Sequence, residues 1–285
     1  MRKTRLLEKL AIGERSKGEL ASELPLLCRG AYWISGIDTN VGKTVVTGLL
    51  ARFLLARGVD ALTVKMVQTG NEGRSEDIEA HRELCGSGPL REDAEGLTAP
   101  QIFKFPSSPE LAARMEGRVV DVERIVAAVK KCAERHRVVL VESAGGLAVP
   151  LTADLLSVDL AAREGWPLVL VTCGRLGAIN HTFLSLEAAK ARGMRVAGVV
   201  HNYHPGVDAT IDADTVAAVR RQLARLGFPP VVVTVPKVEP GRLPDVDFSE
   251  LFPCPASNTT VRTSGIRTLR CGIRRRCARW LPPRE

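Results

Sequence analysis

The sequence has no apolar run long enough to cross a bilayer, no closely spaced pair of cysteines, and little net charge over most of its length. A membrane-spanning helix needs about 20 consecutive apolar residues, and no stretch of the 285 residues approaches that length. The seven cysteines are odd in number, scattered and never in a Cys-x-x-Cys pair. This excludes a disulfide framework and a zinc site, and it indicates reduced thiols in a cytoplasmic protein.

The net charge of +8 is confined almost entirely to the C-terminal tail. Residues 253–285 contain eight arginines and one acidic residue, a net charge of +7 that leaves about +1 for the first 252 residues. We therefore expect no nucleic acid or membrane partner, and we expect the tail to be disordered. Residues 1–30 form an N-terminal extension in which glutamates interrupt the positive charge. This pattern is unlike a transit peptide and favours a surface helix or loose sequence.

The stretch Gly36-Ile37-Asp38-Thr39-Asn40-Val41-Gly42-Lys43-Thr44 carries the clearest functional signal. An apolar run at 31–35 predicts a buried strand before it, and residues 45–57 predict a helix after it. Backbone N–H groups at such a helix start attract anionic oxygens. The Lys43 ammonium adds a charge for the β- and γ-phosphates, and the Thr44 hydroxyl is a ligand for Mg²⁺. We therefore predict a nucleotide site, although five residues separate Gly36 from Gly42 where the usual motif has four.

Apolar strand-like runs and helix-like segments alternate through the rest of the chain. Such alternation predicts an α/β fold: a P-loop NTPase-like, mostly parallel β-sheet in three layers, with helices on both faces. The predicted strands are 31–35, 61–67, 138–141, 166–172, 196–200 and 231–235. The predicted helices are 45–57, 77–84, one that opens at 106–109, 120–135, 180–192 and 210–226.

Charged and polar residues stand where several predicted strands end, which is the edge at which ligands bind in parallel sheets. Lys65 lies near the end of the second strand, and Glu142 directly follows the strand at 138–141 and precedes Ser143-Ala144-Gly145. Glu142 is a candidate Mg²⁺ anchor or a cap of the next turn. Asp77 opens a helix, where N-capping is the simpler interpretation. Asn202 is placed either to read an adenine edge or to make a local turn.

Six ordered motifs resemble the dethiobiotin synthetase family over residues 31–252. They are Asp38-Thr39-x-Val41-Gly42-Lys43-Thr44, Lys65-Met66-Val67-Gln68-Thr69-Gly70, Pro106-x-Ser108-Pro109, Glu142-x-Ala144-Gly145-Gly146-Leu147-x-Val149-Pro150-Leu151, Leu176-Gly177-x-Ile179-Asn180-His181, and Ala197-Gly198-x-Val200-x-Asn202. The resemblance implies a ligase of biotin biosynthesis that uses ATP and Mg²⁺. Its other substrates would be 7,8-diaminononanoate and CO₂ or bicarbonate, and its expected assembly is a homodimer with the substrate site near the interface.

The resemblance also implies a role for each matching position. Lys65 and Lys43 would be catalytic, and the metal ligands would be Thr44, Asp77 and Glu142. Substrate would contact Thr69, Ser108 and Asn180. The nucleotide-binding set would be Asn40, Val41, Gly42, Lys43, Thr44, Val45, Asp77, Glu142, Ser143, Ala144, Gly145, Asn202, Tyr203, Pro236, Lys237 and Val238.

Four residues depart from the family pattern, and two other functions remain open. The departures are Asn40, Met66, Glu110 and Ser143, of which Ser143 is unsuited to any position that needs positive φ. A partitioning-type P-loop ATPase switch shares this loop but usually has a further lysine inside it, and positions 37–41 have none. A cobyric acid synthetase-like ligase domain would need a C-terminal glutaminase, for which 231–252 leaves no room.

Overall fold

The computed structural model describes residues 29–239 and 242–252. Its strands are β1 (Gly30–Gly36), β2 (Ala61–Lys65), β3 (Gln68–Thr69), β4 (Ile102–Phe103), β5 (Val138–Gly146), β6 (Pro150–Thr152), β7 (Leu155–Leu156), β8 (Leu168–Cys173), β9 (Val196–Asn202) and β10 (Val232–Val235). Its helices are α1 (Lys43–Ala56), α2 (Glu76–Cys85), α3 (Arg91–Ala94), α4 (Pro109–Met115), α5 (Val122–Arg135), α6 (Ser157–Arg163), α7 (Ala178–Ala191) and α8 (Ala209–Arg225). Apart from Arg29 and Gly30, the predicted N-terminal extension and the tail lie outside the described residues.

Six strands form one parallel sheet in the order β10-β9-β8-β1-β5-β2. The chain moves from β1 past β5 to β2 through α1, and in the opposite direction from β8 to β9 through α7. Because parallel crossovers are right-handed, α1 and α7 cover opposite faces. The predicted three-layer α/β fold is confirmed. No helix of the described residues is both long enough and apolar enough to traverse a membrane.

The sheet interior accounts for the continuous apolar runs. In β1, the Trp33 and Ile34 side chains are completely buried, and the whole stretch 138–141 of β5 is as well. Strands covered on both faces need apolar residues at every position, whereas half-exposed strands alternate. Strand β1 lies in the centre of the sheet, between β5 and β8.

Several element boundaries differ from those predicted. The second strand ends at Lys65, and Met66 and Val67 are buried outside it. Strand β5 runs five residues beyond the predicted end at Val141, to Gly146. Both differences arise at the edge where the strands leave the core and the chain turns to line a cavity.

Candidate nucleotide and phosphoryl-transfer site

The loop between β1 and α1 is held tightly against the end of β9. Gly42 has φ of +89°, in the left-handed region, and a Cβ added there would lie 2.0 Å from Asn202 Nδ2. The Asn202 amide donates to the Val41 carbonyl at 3.1 Å. Asn40 also has a positive φ, 59°, which asparagine tolerates better than most residues. Glycine at 42 is thus required both by the backbone angle and by the close approach of Asn202.

Lys43 is the first residue of α1, and its side chain folds back over the loop. Its Nζ donates to the Asp38 carbonyl at 2.9 Å. Burial, together with the neighbouring Lys65 ammonium, lowers the pKa of Lys43 from its usual value to about 8. Among the described residues, no carboxylate is a hydrogen-bond partner of the Lys43 ammonium, and a buried cation in this state is well suited to receive an anionic ligand.

Two carboxylates, one hydroxyl and one ammonium meet beside this loop. The Thr44 Oγ1 lies 2.8 Å from Asp77 Oδ1 and 3.1 Å from Glu142 Oε1, and its single proton can be donated to either. The Lys65 Nζ lies 2.7 Å from Asp77 Oδ2 and 2.8 Å from Glu142 Oε1. It donates a third hydrogen bond to the Ser143 carbonyl at 3.1 Å. The ammonium therefore has a partner for each of its three N–H groups.

These contacts set the charges of the cluster. Burial opposes a charge on Glu142, but the Lys65 ammonium and His81 hold its pKa well below the usual range. Burial likewise opposes a charge on Lys65, and Glu142 and Asp77 outweigh it, so that the pKa of Lys65 is raised. Glu142 is accordingly an ionised carboxylate paired with the Lys65 ammonium at neutral pH.

The oxygen atoms of this cluster suit Mg²⁺. Thr44, Asp77 and Glu142 offer hydroxyl and carboxylate oxygens, the hard ligands that Mg²⁺ prefers. One cation, the Lys65 ammonium, already lies beside the two carboxylates. Within the described part of the chain, no group of three or more His, Cys, Asp and Glu side chains is arranged for a metal. The set is therefore incomplete by itself, which fits an ion that also binds the phosphates of a nucleotide.

Helix α2 brings Asp77 to the cluster because Ser75 fixes its start. The Ser75 hydroxyl accepts from the Ile78 N–H at 3.2 Å and donates to Gln68 Oε1 at 2.6 Å. Ser75 is the N-cap, so the interpretation of Asp77 as an N-cap is wrong. Asp77 is the second residue of the helix and points toward Thr44 and Lys65.

A cavity of about 760 Å³ opens above the cluster. Thr69 and Ser108, both predicted substrate contacts, lie in its wall. The other predicted residues in the wall are Asn40, Gly42, Lys43, Thr44, Val45, Lys65, Asp77, Glu142, Ala144 and Gly145. The cavity therefore joins the phosphate loop to the predicted substrate side.

The remaining predicted residues lie outside the cavity wall. Asn202 pairs in register with Val235 at the neighbouring ends of β9 and β10, and the Tyr203 N–H donates to the Val235 carbonyl at 2.9 Å. Five predicted nucleotide-binding residues are thus brought together at one sheet edge: Asn202, Tyr203, Pro236, Lys237 and Val238. Asn180 is exposed in the first turn of α7 and does not line the cavity.

Three of the departures from the family pattern are accommodated by the structure. Ser143 does not have a positive φ, and its hydroxyl donates to the buried Ser35 hydroxyl at 2.9 Å. Met66 is buried, and its N–H donates to the Glu142 carbonyl at 2.9 Å, a bond that proline lacks. Glu110 pairs with Arg114 one helical turn later and is not part of the cavity wall.

Sequence reasoning missed two contacts of the site. His81 is completely buried, and its Nε2 lies 2.7 Å from Glu142 Oε2. Its position four residues after Asp77, on the same helical face, is the signal that points to it. Asp38 in the loop pairs with Arg175, from the segment between β8 and α7. No spacing in the sequence indicates that contact.

A strand, a phosphate loop with Gly-Lys-Thr, and acidic side chains on the neighbouring strand β5 and at the start of α2 define a P-loop nucleotide-binding protein of the α/β class. The family model described as "AAA domain" matches residues 31–241. The chain is 48% identical over 195 residues to the ATP-dependent dethiobiotin synthetase BioD of Chlorobaculum tepidum, covering 68% of this chain and 82% of that protein. It is 39% identical over 194 residues to dethiobiotin synthetase BioD 2 of Pasteurella multocida, covering 68% and 91%. The chain belongs to the dethiobiotin synthetase family.

Among solved structures, a ParA family ATPase from Chlorobium tepidum superimposes with a TM-score of 0.45 at 13% identity, covering 74% of this chain and 86% of that one. Similarity at this level does not bear on function.

Proposed function

We propose that this chain uses ATP to carboxylate and cyclise 7,8-diaminononanoate, forming dethiobiotin, ADP and phosphate. Membership of the dethiobiotin synthetase family supports this function directly. The observation that carries it is the position of Lys65: its ammonium lies within 2.8 Å of two carboxylates beside the phosphate loop, at the base of the cavity. A cation there is placed to meet the charge that develops when a phosphoryl group passes between two anions.

The proposed reaction begins when one amine of the substrate attacks CO₂, loses a proton and becomes a carbamate. A carbamate oxygen attacks the γ-phosphorus of ATP and displaces ADP, which gives a mixed carbamic–phosphoric anhydride. The neighbouring amine then attacks the carbonyl carbon and expels phosphate. Loss of a proton completes the cyclic urea.

The residues of the cavity have separate roles in these reaction steps. Lys43 and the backbone of the loop would bind the β- and γ-phosphates, while Thr69 and Ser108 would contact the diamine. Lys65 would leave the two carboxylates to reach the carbamate, and Thr44, Asp77 and Glu142 would then hold Mg²⁺. When bound, Mg²⁺ neutralises charge on the phosphate oxygens.

The adenine would bind at the ends of β9 and β10, between the Asn202 amide and the segment 236–238. The proximity of that edge to the loop, through the bond from Asn202 to the Val41 carbonyl, supports this assignment. We also propose a cytoplasmic homodimer in which Asn180 binds the substrate carboxylate near the interface. Its support is the unusual exposure of Leu176 and Leu184, at 96% and 61%, on either side of Asn180.

The test is phosphate release from ATP by the purified full chain, with 7,8-diaminononanoate and bicarbonate supplied together or singly. We expect turnover only with both, and a product with the mass of dethiobiotin. A monoamine analogue is the control, since it can form a carbamate but cannot close the ring. ATP hydrolysis that is indifferent to the diamine would refute the ligase and favour a nucleotide switch.

A further inference from the structure

A fully buried histidine lies directly behind the proposed metal site. His81 is 0% exposed, and it follows Asp77 by one turn of α2. Its Nε2 and Glu142 Oε2 are 2.7 Å apart. Asp77 and His81 therefore approach the same carboxylate cluster from one helical face, with Asp77 beside the loop and His81 behind Glu142.

The contacts of Glu142 are divided between its two oxygens. Oε1 lies 3.1 Å from the Thr44 Oγ1 and accepts from Lys65 at 2.8 Å, on the side of the cavity. Oε2 contacts His81 at 2.7 Å, on the buried side. Because a carboxylate is planar, fixing one oxygen also fixes the direction in which the other points.

The environment of the imidazole indicates which nitrogen carries the proton. Within the described residues, His81 Nδ1 is buried and has no hydrogen-bond partner. An ionised carboxylate only accepts, so Nε2 must donate to it. Nε2 therefore carries the proton that lies between His81 and Glu142.

We propose that His81 is a positioning residue that holds Glu142 with one oxygen toward Mg²⁺ and prevents the other from binding it. This inference rests on the proposed metal ligands Thr44, Asp77 and Glu142. Groups that orient a metal ligand in this way typically change metal affinity about 10–100-fold when removed. Among the described residues, no hydrogen bond joins His81 to the nucleotide loop, so we expect its effect to reach the nucleotide through the metal.

The experiment measures how much Mg²⁺ tightens ADP binding. The quantity is the ratio of the ADP dissociation constant without the metal to that with it, determined by calorimetry on the full chain. In His81→Leu, Glu142 Oε2 loses its donor, and we expect the ratio to fall by about tenfold or more. In His81→Gln, the side-chain amide replaces the Nε2 donor, and the ratio should stay within about threefold of the wild type. If the leucine variant does not fold, His81→Asn takes its place, because its amide is too short to reach Glu142.

His201 provides a matched control. It is also completely buried, its Nε2 lies 2.6 Å from Asp212 Oδ1, and its Nδ1 likewise has no partner among the described residues. His201→Leu should reduce thermal stability but leave unchanged the ratio of the ADP dissociation constants without and with Mg²⁺. His201 is adjacent to Asn202, the proposed adenine contact. Any change in that contact affects ADP binding equally with and without Mg²⁺, so it cancels in the ratio of the two dissociation constants.

Each possible result either supports or overturns the proposed positioning role of His81. A reduced ratio in His81→Leu, restored in His81→Gln and absent in His201→Leu, supports the positioning role. An unchanged ratio in His81→Leu, or an equal fall in the His201 variant, overturns it. If Mg²⁺ does not tighten ADP binding even in the wild type, the proposed metal ligands are wrong, and formation of dethiobiotin then tests the ligase separately.

Discussion

Replacing Lys65 by methionine separates the structural role of its ammonium from its catalytic one. Methionine keeps the unbranched stem of lysine, so that little volume is lost, but it removes the charge and three donors. The Asp77 and Glu142 carboxylates and the Ser143 carbonyl lose a partner at 2.7, 2.8 and 3.1 Å respectively. In the absence of metal, the two adjacent carboxylates then face each other without the ammonium that contacts both of them.

The expected loss of stability follows from the burial of this pair. Only 7% of the Lys65 side chain and none of the Glu142 side chain is exposed, so solvent screens the interaction little. Removing one partner of a buried ion pair costs about 3–5 kcal/mol. Proton uptake by Glu142 limits that cost, because burial opposes its charge once the ammonium has gone. We therefore expect about 3 kcal/mol, or roughly 6–12 °C in Tm for a domain of this size.

Thermal unfolding with and without Mg²⁺ tests this reasoning. Mg²⁺ restores a cation to the carboxylates, so the difference in Tm between variant and wild type should shrink when it is added. Turnover at saturating ATP should fall about 10²–10³-fold, since a charge aimed at the transferred phosphoryl group is lost, while ADP still binds. Lys104→Met is the control: that lysine is exposed and pairs with Glu72, and its loss should change neither Tm nor turnover.

Two results would refute the argument. An unchanged Tm without Mg²⁺ would mean that the ion pairs of Lys65 do not stabilise the fold. A collapse of ADP affinity with normal turnover at saturation would make Lys65 a binding residue only.

Two further substitutions test the loop and the scaffold behind it. Gly42→Ala forces alanine into a φ of +89° and displaces Asn202, so we expect about 1–2 kcal/mol of strain and at least a roughly tenfold weaker ADP affinity. Gly58 has a φ of +72° and open space around it, so Gly58→Ala is the control and should show the strain without the loss of ADP affinity. Equal losses of ADP affinity in the two variants would contradict the role of Asn202. For Asp93, burial opposes the charge, but hydrogen bonds from Arg82 at 2.7 and 2.9 Å hold its pKa below the usual range. The stabilisation is therefore present above the ordinary aspartate pKa and lost as pH falls through the lowered one. Asp93→Asn should cost about 2 kcal/mol at pH 7 in urea unfolding, and the difference should vanish in acid; a difference that persists there would contradict this sign.

The strands were predictable from sequence because the sheet is buried on both faces, but their order was not. Stretches such as 138–141 and 168–171 are equally apolar, and nothing local distinguishes a central strand from its neighbour. The order β10-β9-β8-β1-β5-β2 depends on which strands pack best over the whole sheet. The prediction that Lys65 and Glu142 lie at one edge was nevertheless correct, since the two residues are register partners in β2 and β5. The rule that parallel strands end at a common edge was sufficient for that.

The part of the site that sequence could not supply consists of contacts between residues far apart in the chain. Pairing of Asp38 with Arg175 joins residues 137 positions apart, and that of His81 with Glu142 joins residues 61 apart. Such pairs have no spacing rule, because the intervening chain differs in length and path from one fold to another. The two-residue strands β3 and β4 were missed for a related reason: they pair only with each other and are too short to show a period.

The arrangement of α1 and α2 explains why one helix affects both ends of the proposed reaction. Thr44 lies in the first turn of α1, directly after the phosphate loop, and its hydroxyl is 2.8 Å from Asp77 Oδ1 on α2. Asp77 in turn contacts Lys65, the residue that would meet the acceptor, at 2.7 Å. The donor and acceptor sides are thus joined through a single carboxylate on a helix whose start is fixed by Ser75. A substitution that shifts this helix should therefore alter nucleotide binding and phosphoryl transfer together, whereas one confined to the β9 edge should alter nucleotide binding alone.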